Sequence, residues 1–233
     1  MTSLRERARS PTTAELTGIP WLAVLSDLDR LEAVQALKVG NAEPGERVCR
    51  IGAASTFWFG VIDGLLKMSN VSREGAQITY TGIPPGAWFG EGTLLKREFY
   101  RYNIEALRRS TVAGLPVDVF RRLLDRSIPF NRFVMNQLNE RLSQFIAARE
   151  MDRQSQPDQR VAGGLAALFN PVLYPGVGQI LRITQQELAY LIGLSRQRVN
   201  VALQALQAKS LIRIEYGGLR VLDLGGLRRY LSG

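Results

Sequence analysis

Apolar positions change their period along the chain, and each change marks a new kind of element. From residue 14 to residue 37, Trp21, Leu22, Leu25, Leu28, Leu31, Val34 and Leu37 follow helical spacing. From Val39 onward, short apolar runs alternate with turn signals at Asn41–Glu46, Ile51–Ser55, Asp63-Gly64, Arg73-Glu74-Gly75 and Ile83–Gly86. The runs between them (RVCRI, FWFGVI, LLKMSNV, AQITYTGI) read as strands, and Asn103–Val112 continues the pattern. Short strands at such regular spacing predict a small barrel or jelly roll. After Gly114 the period is helical again. Val117–Leu124 predicts a short amphipathic helix, and Ile128–Met151 a long one with Met135, Leu138, Leu142 and Phe145 three or four residues apart. Flanked by Asn139, Glu140, Arg141 and Arg149, that seam fits a two-stranded coiled-coil interface. Simple docking of the helix on the barrel is the alternative.

The polar run Ser155-Gln156-Pro157-Asp158 predicts a hinge, with Pro157 opening a helix that carries Val161, Leu165, Leu168 and Phe169 and ends before Pro171. A loop at 173–178 leads to Ile183–Leu206, two short helices joined by a tight turn. Thr184 and Glu187 have the spacing of a capping box. Leu188, Ala189 and Ile192 share one face, Gly193 supplies a left-handed stop, and Leu194 turns inward. Ser195 caps a second helix whose buried stripe is Val199, Ala202, Leu203 and Leu206, leaving Arg196, Gln197, Asn200 and Gln204 outside. Arginine pairs bidentately with guanine, and Asn or Gln with adenine, so this second helix has the side chains of a major-groove reader. Two strands, LIRIEY and LRVLDL, close on Gly217-Gly218 as a wing whose Arg220 is placed for phosphate. Leu227–Leu231 predicts a short final helix. An ordinary packed helix pair has the same spacing; the charge around it favours the DNA reading.

The sequence of 233 residues carries a formal charge of +9. Residues 157–233 hold nine Lys/Arg against four Asp/Glu, so positive density is highest around the helix-turn-helix, as a phosphate-binding surface requires. No apolar run approaches a membrane span, and the N-terminus lacks the apolar core of a secretory signal, so a cytoplasmic protein with no membrane partner is expected. There is no histidine and a single cysteine, Cys49. That inventory leaves no haem histidine, iron–sulfur cluster or histidine-dependent triad. Cys49 reads as a packed core residue, with a redox-sensing thiol as the alternative. No nucleophile with clustered carboxylates accompanies the helix-turn-helix, so a DNA-processing enzyme such as a recombinase is the weaker rival.

In this order, the predicted elements resemble the Crp/Fnr superfamily of transcription regulators, over roughly residues 20–231. The resemblance rests on ITQQELAYLIGLSRQRVNVALQAL with its wing, and on PPGAWFGEG at 84–92 followed by Arg101. It implies an α+β chain: a β-barrel or jelly-roll sensor domain (20–126), a dimerisation helix with hinge (127–156) and a winged helix-turn-helix (157–233); the charged stretch ahead of it (1–19) is expected to be a flexible N-terminus. It implies a homodimeric, non-enzymatic regulator on approximately palindromic double-stranded DNA. Arg196 and Gln197 match base-reading positions, and Gln186, Ser195 and Arg198 match phosphate contacts; Asn200 is expected to share the reading. Many relatives carry arginine where this chain has Val201, so the half-site should differ. The loop Tyr174–Gly178 is expected to be exposed and to face RNA polymerase.

For the sensor, the resemblance implies a cyclic-nucleotide cassette: Gly90, Glu91 and Gly92 at a short helix, with Arg101 clamping the phosphate and Glu91 accepting from a ribose hydroxyl. Each of these residues also has a purely structural alternative. Tyr102 and Asn103 stand where small phosphate-contacting residues normally follow the arginine, with Tyr102 bulky enough to fill the phosphate's space. Phe145 and Ile146 stand where hydroxyl residues hold adenine. A cyclic nucleotide, another effector, or a degenerate barrel that needs none are therefore the three readings of this domain.

Overall fold

The computed structural model describes residues 8–71, 74, 75, 77–151 and 156–230. The first seven residues of the expected flexible start, Arg73, Ser155 and Leu231 lie outside the described residues. Residues 8–19 are folded, which corrects the expectation of a flexible segment there. Helix α1 (Thr13–Thr17) is held by a capping box of Thr12 and Glu15. Arg9 clamps Glu15 at 2.6 and 2.8 Å, and its backbone bridges Val39. The guanidinium holds the Glu15 carboxyl down at about 2. The single helical pattern of residues 14–37 also divides. Pro20 starts a 3₁₀ turn (Pro20–Val24), Leu25 is extended, and Ser26 caps a fresh helix α2 (Asp27–Ala36). Leu28 and Leu31 consequently face solvent.

The strands follow the predicted alternation. They are β1 (Lys38–Ala42), β2 (Arg47–Cys49), β3 (Phe57–Asp63), β4 (Leu66–Val71), β5 (Gln77–Ile83) and β6 (Trp88–Phe89). Helix α3 (Glu91–Lys96) then precedes β7 (Asn103–Ala106) and β8 (Ser110–Pro116), which the sequence pattern had run together. Two antiparallel sheets, β1-β8-β3-β6 and β2-β7-β4-β5, face each other as a jelly roll rather than a closed barrel. Along β3 and β8, Phe59, Val61 and Val112 point between the sheets, where Cys49 is also buried. Trp58, Ala113 and Leu115 point outward onto α4 (Val117–Arg126) and the 3₁₀ turn, in a second core. There Trp58 packs 4.6 Å from Trp88, 5.0 Å from Phe120 and 5.4 Å from Trp21, ring centroid to centroid. Gly60 is required beside them, because a Cβ there would collide with the Trp88 indole.

The long helix α5 (Ile128–Met151) leads to α6 (Pro157–Leu168), opened by Pro157. The remainder is β9 (Ile180–Leu181), α7 (Gln185–Ile192), α8 (Arg196–Ala208), β10 (Ile212–Glu215), β11 (Gly218–Val221) and α9 (Leu224–Arg229). The wing sheet has the order β10-β11-β9; the two-residue β9 is too short to leave a period in the sequence. Among the described residues, no helix is long and apolar enough to cross a membrane.

The C-terminal unit sits directly on the jelly roll, sharing one continuous core with it. Gly82 on β5 lets Leu191 and Leu168 approach; a Cβ there would lie 2.7 and 2.8 Å from their methyl groups. Gly86, at φ +82°, meets the backbone of Gly176. Between these contacts Arg108, in the β7–β8 turn, pairs with Glu187, its Nη2 donating to Oε2 at 3.0 Å and its Nε lying 2.9 Å from Oε1, and Nη2 also donates to the Arg182 carbonyl at 2.7 Å. This docking buries part of the loop Tyr174–Gly178, which was expected to be exposed throughout. Tyr174 and Val177 are buried under α5 and the jelly roll, leaving Pro175, Gly176 and Gly178 outside.

Because Glu187 serves both the α7 cap and the Arg108 grip, its loss should cost more than loss of Arg108. Urea denaturation is expected to show about 1–2 kcal/mol destabilisation for Arg108→Ala and about 2–4 kcal/mol for Glu187→Ala. Equal costs would contradict the double role.

Candidate nucleic-acid interface and ligand cassette

The helix-turn-helix is built by its caps. Thr184 Oγ1 accepts from the Glu187 N–H at 3.1 Å, and Glu187 Oε2 accepts from the Thr184 N–H at 2.7 Å. Gly193 takes the left-handed conformation at φ +70°, and Ser195 Oγ accepts from the Arg198 N–H to start α8. Arg160 of α6 donates to the Ile192 carbonyl, securing the end of α7. Val199, Ala202, Leu203 and Leu206 form the buried stripe of α8, and Leu188 and Ala189 that of α7.

Arg196, Gln197, Arg198, Asn200, Val201 and Gln204 are all exposed on α8, and Gln186 on α7. Val201 is 65% exposed, so an apolar group with no structural use in the protomer is presented beside polar ones. One feature was not read from the sequence: Gln185 Nε2 donates to Asn200 Oδ1 at 3.0 Å, fixing that side chain from the first helix. The pairing spans the turn between two helices, so no periodicity announces it. Ser195 is engaged as a cap, leaving the rest of its hydroxyl's capacity for a phosphate.

The wing differs from expectation. Arg220 does not project freely: its Nε lies 2.6 Å from Glu215 Oε1, and its Nη1 reaches Gln179. Arg213, its cross-strand neighbour on β10, is exposed and makes no ion pair among the described residues. Tyr216 stands fully exposed at the tip, beside Gly217 at φ +72°. Arg182, ahead of α7, is exposed as well.

In the expected ligand cassette, the structure separates the residues that the spacing aligned. Arg101 is 74% exposed in its side chain and pairs with Glu98 at 2.9 Å, outside the domain. Glu91, by contrast, is buried, and the cation facing it comes from α5. Arg141 Nε lies 2.9 Å from Glu91 Oε1, and Nη2 donates to the Trp88 carbonyl at 2.8 Å. Burial works against the Arg141 charge, but Glu91 outweighs it, and the guanidinium stays protonated beyond its ordinary range. Tyr102 points in among Thr93, Glu91 and Arg141, and burial pushes its hydroxyl up to about 12. Gly90 is left-handed at φ +98°, and Gly92 faces Leu138 of α5. Glu91 Oε2 is the one acceptor of the pair left without a partner. The cluster is thus a charge-balanced pair flanked by a phenol, in which the inward cation is Arg141 and not Arg101. Phe145 and Ile146 are half-exposed on α5.

Comparison with known proteins agrees with this architecture. Residues 40–127 match the cyclic nucleotide-binding domain family, and residues 159–230 the Crp-like helix-turn-helix domain family. The transcriptional regulator SdrP of Thermus thermophilus is 29% identical over 174 residues, covering 72% of this chain and 80% of that protein. The cAMP-activated global transcriptional regulator CRP of Haemophilus influenzae is 26% identical over 168 residues, covering 69% and 73%. Among solved structures, FixK2 from Bradyrhizobium japonicum shares the fold with a TM-score of 0.65 at 13% identity, covering 83% of this chain and 96% of that one. A putative cAMP-binding regulatory protein from Silicibacter pomeroyi does so at 0.61 and 18% identity, covering 95% and 100%.

A buried ion pair is costly to break and cheap to replace whole. Glu91→Gln is therefore expected to destabilise the protein by about 3–5 kcal/mol in urea denaturation, and the double variant Glu91→Leu/Arg141→Met to recover most of that. A single variant as stable as the parent would show that the pair is not closed.

Proposed function

We propose that this chain is a DNA-binding transcription regulator of the Crp/Fnr superfamily that acts as a cytoplasmic homodimer on a two-fold-symmetric operator without needing a cyclic nucleotide; its two matched domain families and its resemblance to such regulators support the first part of that reading. The dimer reading rests on the polarity of α5. Its Gln137, Arg141 and Gln144 are turned to the protein interior, donating to the Val172, Trp88 and Ala167 carbonyls. Met135, Leu142, Phe145 and Ile146, an apolar stripe, are 42–62% exposed in the protomer. A second α5 covers such a stripe with knobs-into-holes packing. Two copies of α8 then meet successive major grooves, about one helical turn (roughly 34 Å) apart.

Within each half-site, Arg196 and Gln197 at the start of α8 read base edges, joined by Asn200 in the orientation set by Gln185. Gln186, Ser195 and Arg198 hold phosphates. Arg213 replaces Arg220 as the wing's phosphate contact, since Arg220 is committed to Glu215. Val201 meets a thymine methyl where an arginine would read guanine. The observation that supports effector independence is the Arg141–Glu91 pair: the protein's own cation already engages Oε1 of the cassette's carboxylate, and Arg101 is turned away.

Selection of bound sequences from a random DNA pool tests the function. A symmetric motif with half-sites one turn apart is expected; an asymmetric or absent motif would contradict it. Arg196→Ala is expected to lose about 1–3 kcal/mol of discrimination at one or two base pairs, whereas Arg198→Ala weakens all sequences alike. Equal losses on specific and random DNA for both variants would sink the assignment. Leu142→Glu is expected to give monomers in sedimentation, with operator affinity falling at least tenfold; an intact dimer would refute the α5 interface.

A further inference from the structure

Gln185 is the first residue of α7 and is half-buried, whereas Asn200 is exposed on α8. Their side chains meet across the turn, Gln185 Nε2 donating to Asn200 Oδ1 at 3.0 Å. Neither amide has another hydrogen-bond partner among the described residues. A primary amide carries two hydrogens on its nitrogen and two lone pairs on its oxygen. The bond therefore leaves Gln185 one free N–H, and leaves Asn200 one lone pair on Oδ1 and both hydrogens on Nδ2. Adenine asks for that combination in the major groove: an acceptor for its N6 amine and a donor for N7.

On its own the bond has no preferred direction. Turning both amides over gives Asn200 Nδ2 donating to Gln185 Oε1, an equally good pair that shows DNA a different end of Asn200. A phosphate removes the ambiguity, because its oxygens only accept. At a phosphate Gln185 must present Nε2, and the second hydrogen on that nitrogen then holds Asn200 by its oxygen. Gln185 is placed for such a contact: it opens the helix that crosses the DNA backbone while the second helix enters the groove, and Gln186 beside it is exposed. Resting on the reading of α8 as the base-reading helix, we infer that Gln185 is a positioning residue that couples the DNA backbone to base choice. One Nε2 hydrogen goes to a phosphate and the other to Asn200, so that Asn200 reads adenine. The phosphate contact thereby sets in advance the side-chain orientation that an unsupported asparagine would have to find on binding.

The test is selection of operators from a random DNA pool by the full-length protein, followed by affinities from fluorescence anisotropy at fixed salt. Loss of preference in Asn200→Ala identifies the base pair that Asn200 reads; the parent is expected to prefer adenine there, by about tenfold over guanine. Gln185→Ala is expected to reduce that preference by about fivefold, to leave the other positions of the motif unchanged, and to have no further effect on it in the Asn200→Ala background. Gln185→Glu, which keeps the shape but has no hydrogen to donate, is expected to lose the preference as well. Replacing the adenine by 7-deazaadenine is expected to weaken the parent but not Asn200→Ala. A merely structural defect at Gln185 would weaken all sequences alike and leave base preference as it was. The coupling would be overturned by a base other than adenine at the Asn200-dependent pair, by additive effects of the two substitutions, or by an unchanged preference in Gln185→Ala. A parent that selects no motif would instead overturn the DNA-reading assignment, and the coupling with it.

Discussion

Arg141 and Glu91 leave water together, and neither tolerates burial without the other. That constraint fixes the rotation of α5 about its own axis, because Arg141 must face α3. With Arg141 inside, Gln137 and Gln144 follow on the same side and find backbone carbonyls, while Met135, Leu142 and Ile146 are left facing out. The helix therefore leaves an apolar stripe facing solvent although Phe130 and Val134 at its start are buried in the protomer, an exposure that a lone monomer would not favour. The same pair engages Oε1 of the carboxylate of the expected nucleotide cassette. One buried interaction thus bears on both the assembly and the ligand requirement.

The C-terminal unit is held by a second shared residue. Glu187 completes the capping box that lets α7 form, and its carboxylate is also the anchor for Arg108 on the jelly roll. Local helix formation and docking to the sensor domain therefore draw on one side chain. The glycines at 82, 86 and 176 let backbone and leucine side chains approach across the same boundary. Any ligand that changes the balance between docked and undocked arrangements would act by shifting populations across this boundary.

Much of this was legible in the sequence where the determinants are local. The helix-turn-helix was read from Thr184, Glu187, Gly193 and Ser195, each acting within a few residues of itself. The strands of the jelly roll were read from period-two alternation and turn residues. Features set by distant partners were not. Arg101 stands at the family's spacing, yet Glu98 draws it outward and Arg141, fifty residues away from Glu91 in sequence, takes the inner position. Arg220 was placed for phosphate by its strand, but Glu215 across the hairpin claims it. The segment 8–19 lacked a long apolar period and was expected to be flexible; its order comes from the Arg9–Glu15 clamp and a bridge to Val39. The loop at 174–178 has the composition of an exposed turn, and only the fold shows Tyr174 beneath α5.

The central claim is that DNA reading here is independent of cyclic nucleotides because Arg141 already occupies Glu91. Its most direct measurement is the affinity of the purified protein for its selected operator, by fluorescence anisotropy at fixed salt, with and without millimolar cyclic AMP or cyclic GMP. The account predicts a Kd unchanged within a factor of about two, since a ligand that does not distinguish two states shifts neither. A tenfold or greater tightening by either nucleotide would contradict it.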